Sequence, residues 1–321
     1  MLSLPINHYF GGQTYPPMVT TWNTENLGGT GSATKVLLLP FADEGRVVVD
    51  WGDGTINRSN THTYASGGVK TVKLYGEVRN WVFDDLGDKL KITNVSDVGG
   101  WRPRSGGFRG CSNLTWTATG ALNNNTSTTF NSLFRGCTLF NGDVSSWDVS
   151  NITNLSGTFR DCVAFNQAVG SWNVTTATTN INSLFYGCTI FNQDISGWDV
   201  SNVTTFASAF RDCAALNPNI GGWNVTSTTT AINNMCRGSL FNRDISGWDI
   251  SAVTNASNFA NGSSFSTTNY DLLLPAWEAQ SVQDNVSFHA GSATYGAGSP
   301  AAARAALIAD HTWTITDGGP T

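Results

Sequence analysis

Charge is what this sequence has least of. Asp, Glu, Lys and Arg make up 12% of its 321 residues, against roughly 25% in an ordinary soluble domain. Helical bundles clothe their outer faces in Glu, Lys and Ala, so the composition argues against a mainly helical fold. Polarity comes instead from Ser, Thr, Asn and Gly, as in turn-rich β structure. The net charge is −6 and no basic run occurs. Nucleic-acid binding needs a positive stripe to neutralise phosphates, so no nucleic acid is expected as a partner. No apolar run approaches the ~18 residues of a membrane span, so no membrane insertion is expected. The opening MLSLPINHYFGGQTYPPM has neither a basic n-region nor a long apolar h-region, and no secretory signal is expected. Lysine is absent after Lys91, a compositional change that reads as a domain boundary.

Catalytic vocabulary is missing too. His8, His62, His289 and His311 all lie outside the central repeats, and no P-loop, HExxH or Ser-His-Asp order occurs. No catalytic, cofactor-binding or metal-ligating residue is therefore assigned, no cofactor is expected, and the chain is not expected to be an enzyme.

Taken in order, residues 1–17 read as an extended arm, because Pro5, Pro16 and Pro17 forbid a continuous helix. Over 18–80 the pattern is β-like. KVLLLPF (35–41) and GRVVVDW (45–51) read as a hairpin around an Asp-Glu-Gly turn, and His62–Tyr64 with Val69–Tyr75 as a second one around Gly67-Gly68. Asp50 and Asp53 flank a tight turn; they cap turn amides or, less simply, bind calcium, although the acidic positions of an EF-hand loop are missing. The pairing of VDWGDGT with HTYASGGVKTVKL resembles the PKD-type immunoglobulin-like domain, and that resemblance implies a β-sandwich. Residues 81–107 form a junction in which Ile92–Val98 alternates like a strand and Trp101-Arg102-Pro103-Arg104 reads as a loop.

Between 108 and 265 one phrase recurs, seen at 185–210 as FYGCTIFNQDISGWDVSNVTTFASAF. Counted by its first large apolar residue, it falls at Phe108, Phe134, Phe159, Phe185, Phe210, Met235 and Phe259. Cys111, Cys137, Cys162, Cys188 and Cys213 keep step, with Gly238 in the sixth place and Cys236 off register. Trp147, Trp172, Trp198, Trp223 and Trp248 do the same, and Trp-Asp copies alternate with Trp-Asn copies, so the larger unit is a pair. A period of this length predicts a solenoid in which residues at one offset stack. FNQDIS (191–196) reads as its strand and TFASAFRDC (205–213) as its helical or 3₁₀ turn.

The phrase FxGCxxFNxDISxWDVSNVT is similar to the repeat of BspA-like leucine-rich-repeat surface proteins, as are the lead-in GDKLKITNV and the closing WTITDGG. The resemblance implies an adhesive or binding protein at a surface, and no enzyme. Residues 266–321 read as a cap over the exposed end, with helices over 269–280 and 299–310, the latter with Ser299 as N-cap, and a last strand at 313–316. The fold class is thus mainly β: a PKD/immunoglobulin-like sandwich, a leucine-rich-repeat-like solenoid and a small α/β C-terminal cap.

The ladders admit more than one chemistry. The cysteines suit buried apolar slots; disulfides or thiolate–metal bridges are the alternatives, disfavoured by the absence of CxxC pairs and of histidine at matching offsets. The Trp-Asp corners suit packing and turn capping, or a glycan platform in which Asp148, Asp199 and Asp249 meet sugar hydroxyls. Asn151, Asn173, Asn202 and Asn224 in Asn-X-Ser/Thr triplets read as turn chemistry rather than glycan acceptors. A surface-type repeat without an export signal points to a bacteriophage virion component, a fibre, spike or capsid decoration with a host-attachment role. Its partners would be other virion proteins or copies of itself, and a host-surface glycan or protein. The alternative is a bacterial cell-surface adhesin.

Overall fold

A computed structural model describes residues 15–27, 31, 33–41, 47–122, 127–175, 177–217 and 219–321. Most of the expected N-terminal arm, and the Asp43-Glu44-Gly45 turn, lie outside these residues.

The N-terminal strands are β1 (Met18–Asn23), β2 (Val36–Leu38), β3 (Val47–Asp50), β4 (Ile56–Asn57), β5 (Thr61–Thr63), β6 (Val69–Gly76), β7 (Ile92–Asp97) and β8 (Thr115–Trp116). β1 alternates buried Met18, Thr20 and Trp22 with half-exposed neighbours, the period-two pattern of a strand with one face in a core. It sits inside a sheet ordered β4-β3-β6-β1-β7-β8, antiparallel to both β6 and β7, while β8 joins β7 in parallel. The expected PKD/immunoglobulin-like sandwich, closed within 18–80, is not formed: the second sheet is only the two-stranded pair of β2 and β5, and the main sheet runs on past residue 80 through β7 and β8 into the repeats. Neither expected hairpin pairs. β2 pairs with β5, and β6 fills the space between β3 and β1. His62 stacks on Trp51 at 5.0 Å between ring centroids and bonds Asp53 at 2.7 Å, which holds β5 over the 50–55 turn and away from β6. Asp50 and Asp53 cap that turn by accepting the Gly52 and Thr55 N–H groups.

A buried ion pair fastens β2 to the segment before β7. Lys91 Nζ lies 3.3 Å from Asp88, both side chains at most 1% exposed. Lys91 also donates to the Ala33 and Val36 carbonyls, and Asp88 accepts the Leu38 N–H. With its charge paired and its protons placed, the ammonium tolerates burial. Trp22 packs on Trp81 and Phe83, those two pack on Phe108, and Phe108 lies parallel to Phe134, with ring centroids 5.6 Å apart and 2° between planes, so the sheet's core runs directly into that of the repeats.

Residues 108–265 do not form the expected leucine-rich-repeat-like solenoid with a strand and a helical turn per coil. Among the described residues of that range β8 is the only strand, and no helix occurs. Two left-handed residues per copy break the expected helical turn. They are Gly106 and Gly110, Ser132 and Gly136, Gly157 and Asp161, Ser183 and Gly187, Ser208 and Asp212, Asn234 and Gly238, and Asn258 and Gly262, with φ between 53° and 81°. Two positive φ values four residues apart interrupt any helix or regular ladder over that stretch. The backbone alternates instead. The N–H groups of Phe130, Ser132, Phe134 and Gly136 reach Asn154, Ser156, Thr158 and Arg160 of the next copy, while those of Leu133, Arg135 and Cys137 close turns onto the carbonyl three residues back. Each copy is a turn-built rung, joined to the next by single parallel bridges that step through Thr129, Asn154, Asn180, Thr205, Ala231 and Asn255. The FNQDIS stretch is not a strand; Asp194 caps its own turn by accepting the Ser196 N–H.

The hydrogen bonds also reset the phase of the last copies. Phe134, Phe159, Phe185 and Phe210 each donate to the residue just before the next slot, and by that rule Cys236, not Met235, occupies the sixth aromatic slot. The left-handed pair Asn234 and Gly238 brackets Cys236 as Ser208 and Asp212 bracket Phe210. Ser239 takes the cysteine place, bonding the Cys236 carbonyl at 2.7 Å. Ala260, not Phe259, fills the seventh slot and donates to His289.

The C-terminal part holds α1 (Thr267–Glu278), β9 (Ser287–His289), α2 (Ser299–His311) and β10 (Thr314–Thr316), with β9 and β10 parallel. Ser266 caps α1 by accepting the Asn269 N–H. At α2 the N-cap is Gly298 rather than Ser299, with Pro300 in the first turn and no side-chain cap. β9 lies where a further rung would, with Phe288 bridged to Ala256; Tyr270 and Trp277 bury the apolar face beneath it.

Candidate functional site

The inward columns are structural in geometry. All six cysteines are free and buried. Cys137, Cys162, Cys188 and Cys213 donate Sγ–H to the carbonyls of Phe108, Phe134, Phe159 and Phe185 at 2.8–3.0 Å, one rung back. Burial pushes these thiols, and those of Cys111 and Cys236, far up, so the reactive thiolate is suppressed. Trp147, Trp172, Trp198, Trp223 and Trp248 are at most 3% exposed. From Trp172 onward each indole N–H donates to a carbonyl of the rung before, those of Val144, Val169, Ile195 and Ile220. Trp172, Trp198 and Trp223 stack with ring centroids 6.4 Å apart and planes within 8°. A sugar ring therefore finds no indole face to stack on.

Asp148, Asp199 and Asp249 sit at the corners after these tryptophans, and each accepts the N–H of the serine two residues on. Those serines' N–H and hydroxyl groups hold all three carboxyls below the usual carboxylate range. Each carboxylate thus spends one oxygen on its own turn.

Three outward features escaped the sequence analysis. Asn166, Asn192, Asn217 and Asn242 each donate their backbone N–H to the side-chain oxygen of the asparagine one rung back, Asn141 through Asn217. The invariant Phe-Asn or Leu-Asn pair was the signal. The residue after the aromatic slot forms a column of Arg109, Arg135, Arg160, Tyr186, Arg211 and Arg237, in which Arg160 and Arg211 lie 4.5 and 5.0 Å from the Tyr186 ring. Burial, together with the neighbouring charges of Arg160 and Arg109, depresses the Arg135 guanidinium. No basic run announces this column because its successive members are 25 or 26 residues apart. Finally, from Gly136 to Gly238 glycine and aspartate alternate at the second left-handed position, and each glycine that follows an aspartate leaves room for its carboxylate: a Cβ at Gly187 would lie 2.9 Å from Asp161 Oδ1, and one at Gly238 2.6 Å from Asp212 Oδ1.

Two open clefts interrupt this surface: a polar one on the asparagine face beside Asn192, Asp194, Asn217 and Arg243, about 330 Å³, and a larger one at the junction, about 450 Å³, lined by Arg79, Arg102 and Arg104. Among the described residues no group of three or more His, Cys, Asp or Glu side chains could hold a metal ion, and no helix is long and apolar enough to cross a membrane.

Residues 104–194 and 175–277 each match the family model described as Mycoplasma protein of unknown function, DUF285. Together the matches span more than half of the chain. It belongs to this DUF285 family. The matched stretch begins at the junction loop and ends within α1, so in this DUF285 chain it takes in β8 and the rungs and leaves out the strands β1 to β7. No curated protein and no solved structure matches the chain.

Proposed function

We propose that this chain is a non-enzymatic structural and adhesive protein displayed on a particle surface, as a bacteriophage fibre, spike or capsid decoration that presents its rungs to a host. The observation that carries this is the division of labour between columns. The inward positions repeat Phe, Cys and Trp almost without change, whereas several outward ones are mixed: Tyr186 interrupts the arginine column, glycine and aspartate share the second left-handed position, and aspartate alternates with asparagine after the tryptophans. A uniform interior serves a scaffold; a varied exterior on a rigid scaffold serves recognition. The similarity of the repeat to BspA-like surface proteins supports the same reading. The partners are other particle proteins or copies of this chain on one side, and a host-surface protein or glycan on the other.

Mass spectrometry of purified particles, with antibody labelling of intact ones, tests this. The chain is expected in the particle and accessible from outside. Its absence from particles, with recovery in a bacterial cell-envelope fraction, would replace this function by that of a cell-surface adhesin.

A further inference from the structure

We propose that a ridge of apolar turn tips along the rungs is the surface on which two copies of this chain pair, antiparallel and in one register. This goes beyond the display function and does not depend on it.

A tight turn follows each cysteine. The N–H groups of Phe140, Phe165, Phe191 and Leu216 close onto the carbonyls of Cys137, Cys162, Cys188 and Cys213 at 2.9–3.1 Å, which leaves two residues at each tip. Exposed tips ordinarily carry Gly, Asn, Asp or Ser, and the first rung does so with Ser112-Asn113. The tips that follow are Thr138-Leu139, Val163-Ala164, Thr189-Ile190 and Ala214-Ala215, and Leu240 stands alone on a shortened tip between Ser239 and Phe241. Leu139, Ile190 and Leu240 are 49–52% exposed, and Val163 is exposed as well. The stacked rings of Phe140, Phe165 and Phe191 beneath, and the bonded asparagines on the far side of those rings, keep the tips in line. Single exposed apolar residues are ordinary, but here successive rungs join them into one strip.

The strip is complementary to itself. Just before the second aromatic position the rungs carry Leu139, Ala164, Ile190, Ala215, Leu240 and Ser264, large and small in alternation. A two-fold axis between the Ile190 and Ala215 rungs turns a second copy end over end and sets every large residue against a small one. Ile190 then meets Ala215 of the second copy, Leu240 meets its Ala164, and Leu139 meets its Ser264. A two-fold contact is isologous, so each pairing occurs twice. Charge selects the same register. The exposed side chains of Asp161 and Asp212 lie two residues before Val163 and Ala214. This axis sets them opposite Gly238 and Gly187 of the second copy, and brings its Arg237, whose own rung has glycine in that place, to the Arg160–Asp161 pair. An axis through the Ile190 rung would instead oppose Asp161 to Asp212 and Leu139 to Leu240. A foreign partner would give the alternation no reason to be its own complement.

The ridge is narrow, in the small class of specific interfaces, so the dimer should be weak and reversible. Analytical ultracentrifugation of the purified full chain, from micromolar to near-millimolar concentration, should show a monomer–dimer equilibrium. Ile190→Lys acts twice across the axis and should weaken dimerisation about tenfold or more, with the melting temperature unchanged because Ile190 is exposed. Ala215→Ile sets two large residues face to face and should weaken it too. Combining Ala215→Ile with Ile190→Ala exchanges knob and hole, and should restore the native dissociation constant. Leu272→Lys, on the exposed side of α1, should leave the dimer intact. A monomer at every concentration would leave the ridge to a foreign partner and overturn the proposal. So would a dimer indifferent to Ile190→Lys, one lost with Leu272→Lys instead, or one that Ala215→Ile tightens, as unspecific apolar contact would. Particle association is read separately, so failure here leaves the display function standing.

Discussion

In the sheet, β1 exchanges backbone hydrogen bonds with a strand on either side, and its alternating side chains sort onto two faces. In the rungs only every second N–H crosses to a neighbour over a stretch such as 130–136, and side chains complete the bonding: asparagine oxygens, indole N–H groups and thiols each reach main chain one rung away. The sheet is held by strand pairing with a buried ion pair at its margin; the rungs are held by columns of identical side chains. Away from that buried ion pair, polar substitutions should therefore matter more in the rungs than in the sheet, and apolar truncations should matter in both.

The largest effects test the apolar and ionic anchors. Trp198→Ala removes an indole stacked between two others and its bond to Val169, and should destabilise the chain by about 3–5 kcal/mol in urea denaturation. Lys91→Ala leaves Asp88 buried without its partner and should cost a similar ~3–5 kcal/mol. If Trp198→Ala were as stable as the native chain, the indole column would not be core. A smaller effect sharpens the polar contrast. Asn192→Ala deprives the Asn217 N–H of its acceptor and should cost about 1–2 kcal/mol, whereas Lys73→Ala, on the exposed face of β6, should stay within about 0.5 kcal/mol. Equal costs would erase the distinction.

The smallest effect is in acid. The corner carboxyls of Asp148, Asp199 and Asp249 are held below their ordinary value of 3.8 in the folded chain. Their stabilising contribution is therefore complete above that pH and is lost as pH falls through the lowered value. The melting temperature should drop as pH falls below about 4. An Asp148→Asn/Asp199→Asn/Asp249→Asn variant keeps a side-chain acceptor but no titrating group, and should drop less. An identical acid profile would remove these corners from the account.

The sequence already showed the period, the stacking offsets of Phe134, Cys137 and Trp147 and their counterparts, and the helices near the C-terminus, because residues at one offset share one environment. It did not show what backbone carries them. The left-handed positions are occupied by Ser132, Asp161, Asn234 and Gly187 in turn, four residue types with no common signature, so the copies read as strand plus helical turn when they are neither. The phase of the sixth copy slipped by one because Met235 looks more like an aromatic replacement than Cys236 does. Strand partners were assigned by adjacency, which fails where β6 sits between β3 and β1. The junction cleft draws on residues 79, 102–105 and 127–129, brought together only by the first rungs folding over the sheet.

Successive rungs interlock through their left-handed positions, and a double-mutant cycle at 212 and 238 tests this most directly. Both sites have positive φ, and the Asp212 carboxylate occupies the space a side chain at 238 would need. Gly238→Asp alone should destabilise by about 1–3 kcal/mol. Combining it with Asp212→Gly should recover most of that loss, a coupling of about 1 kcal/mol or more in urea denaturation. Strictly additive effects of the two substitutions would contradict the interlocking.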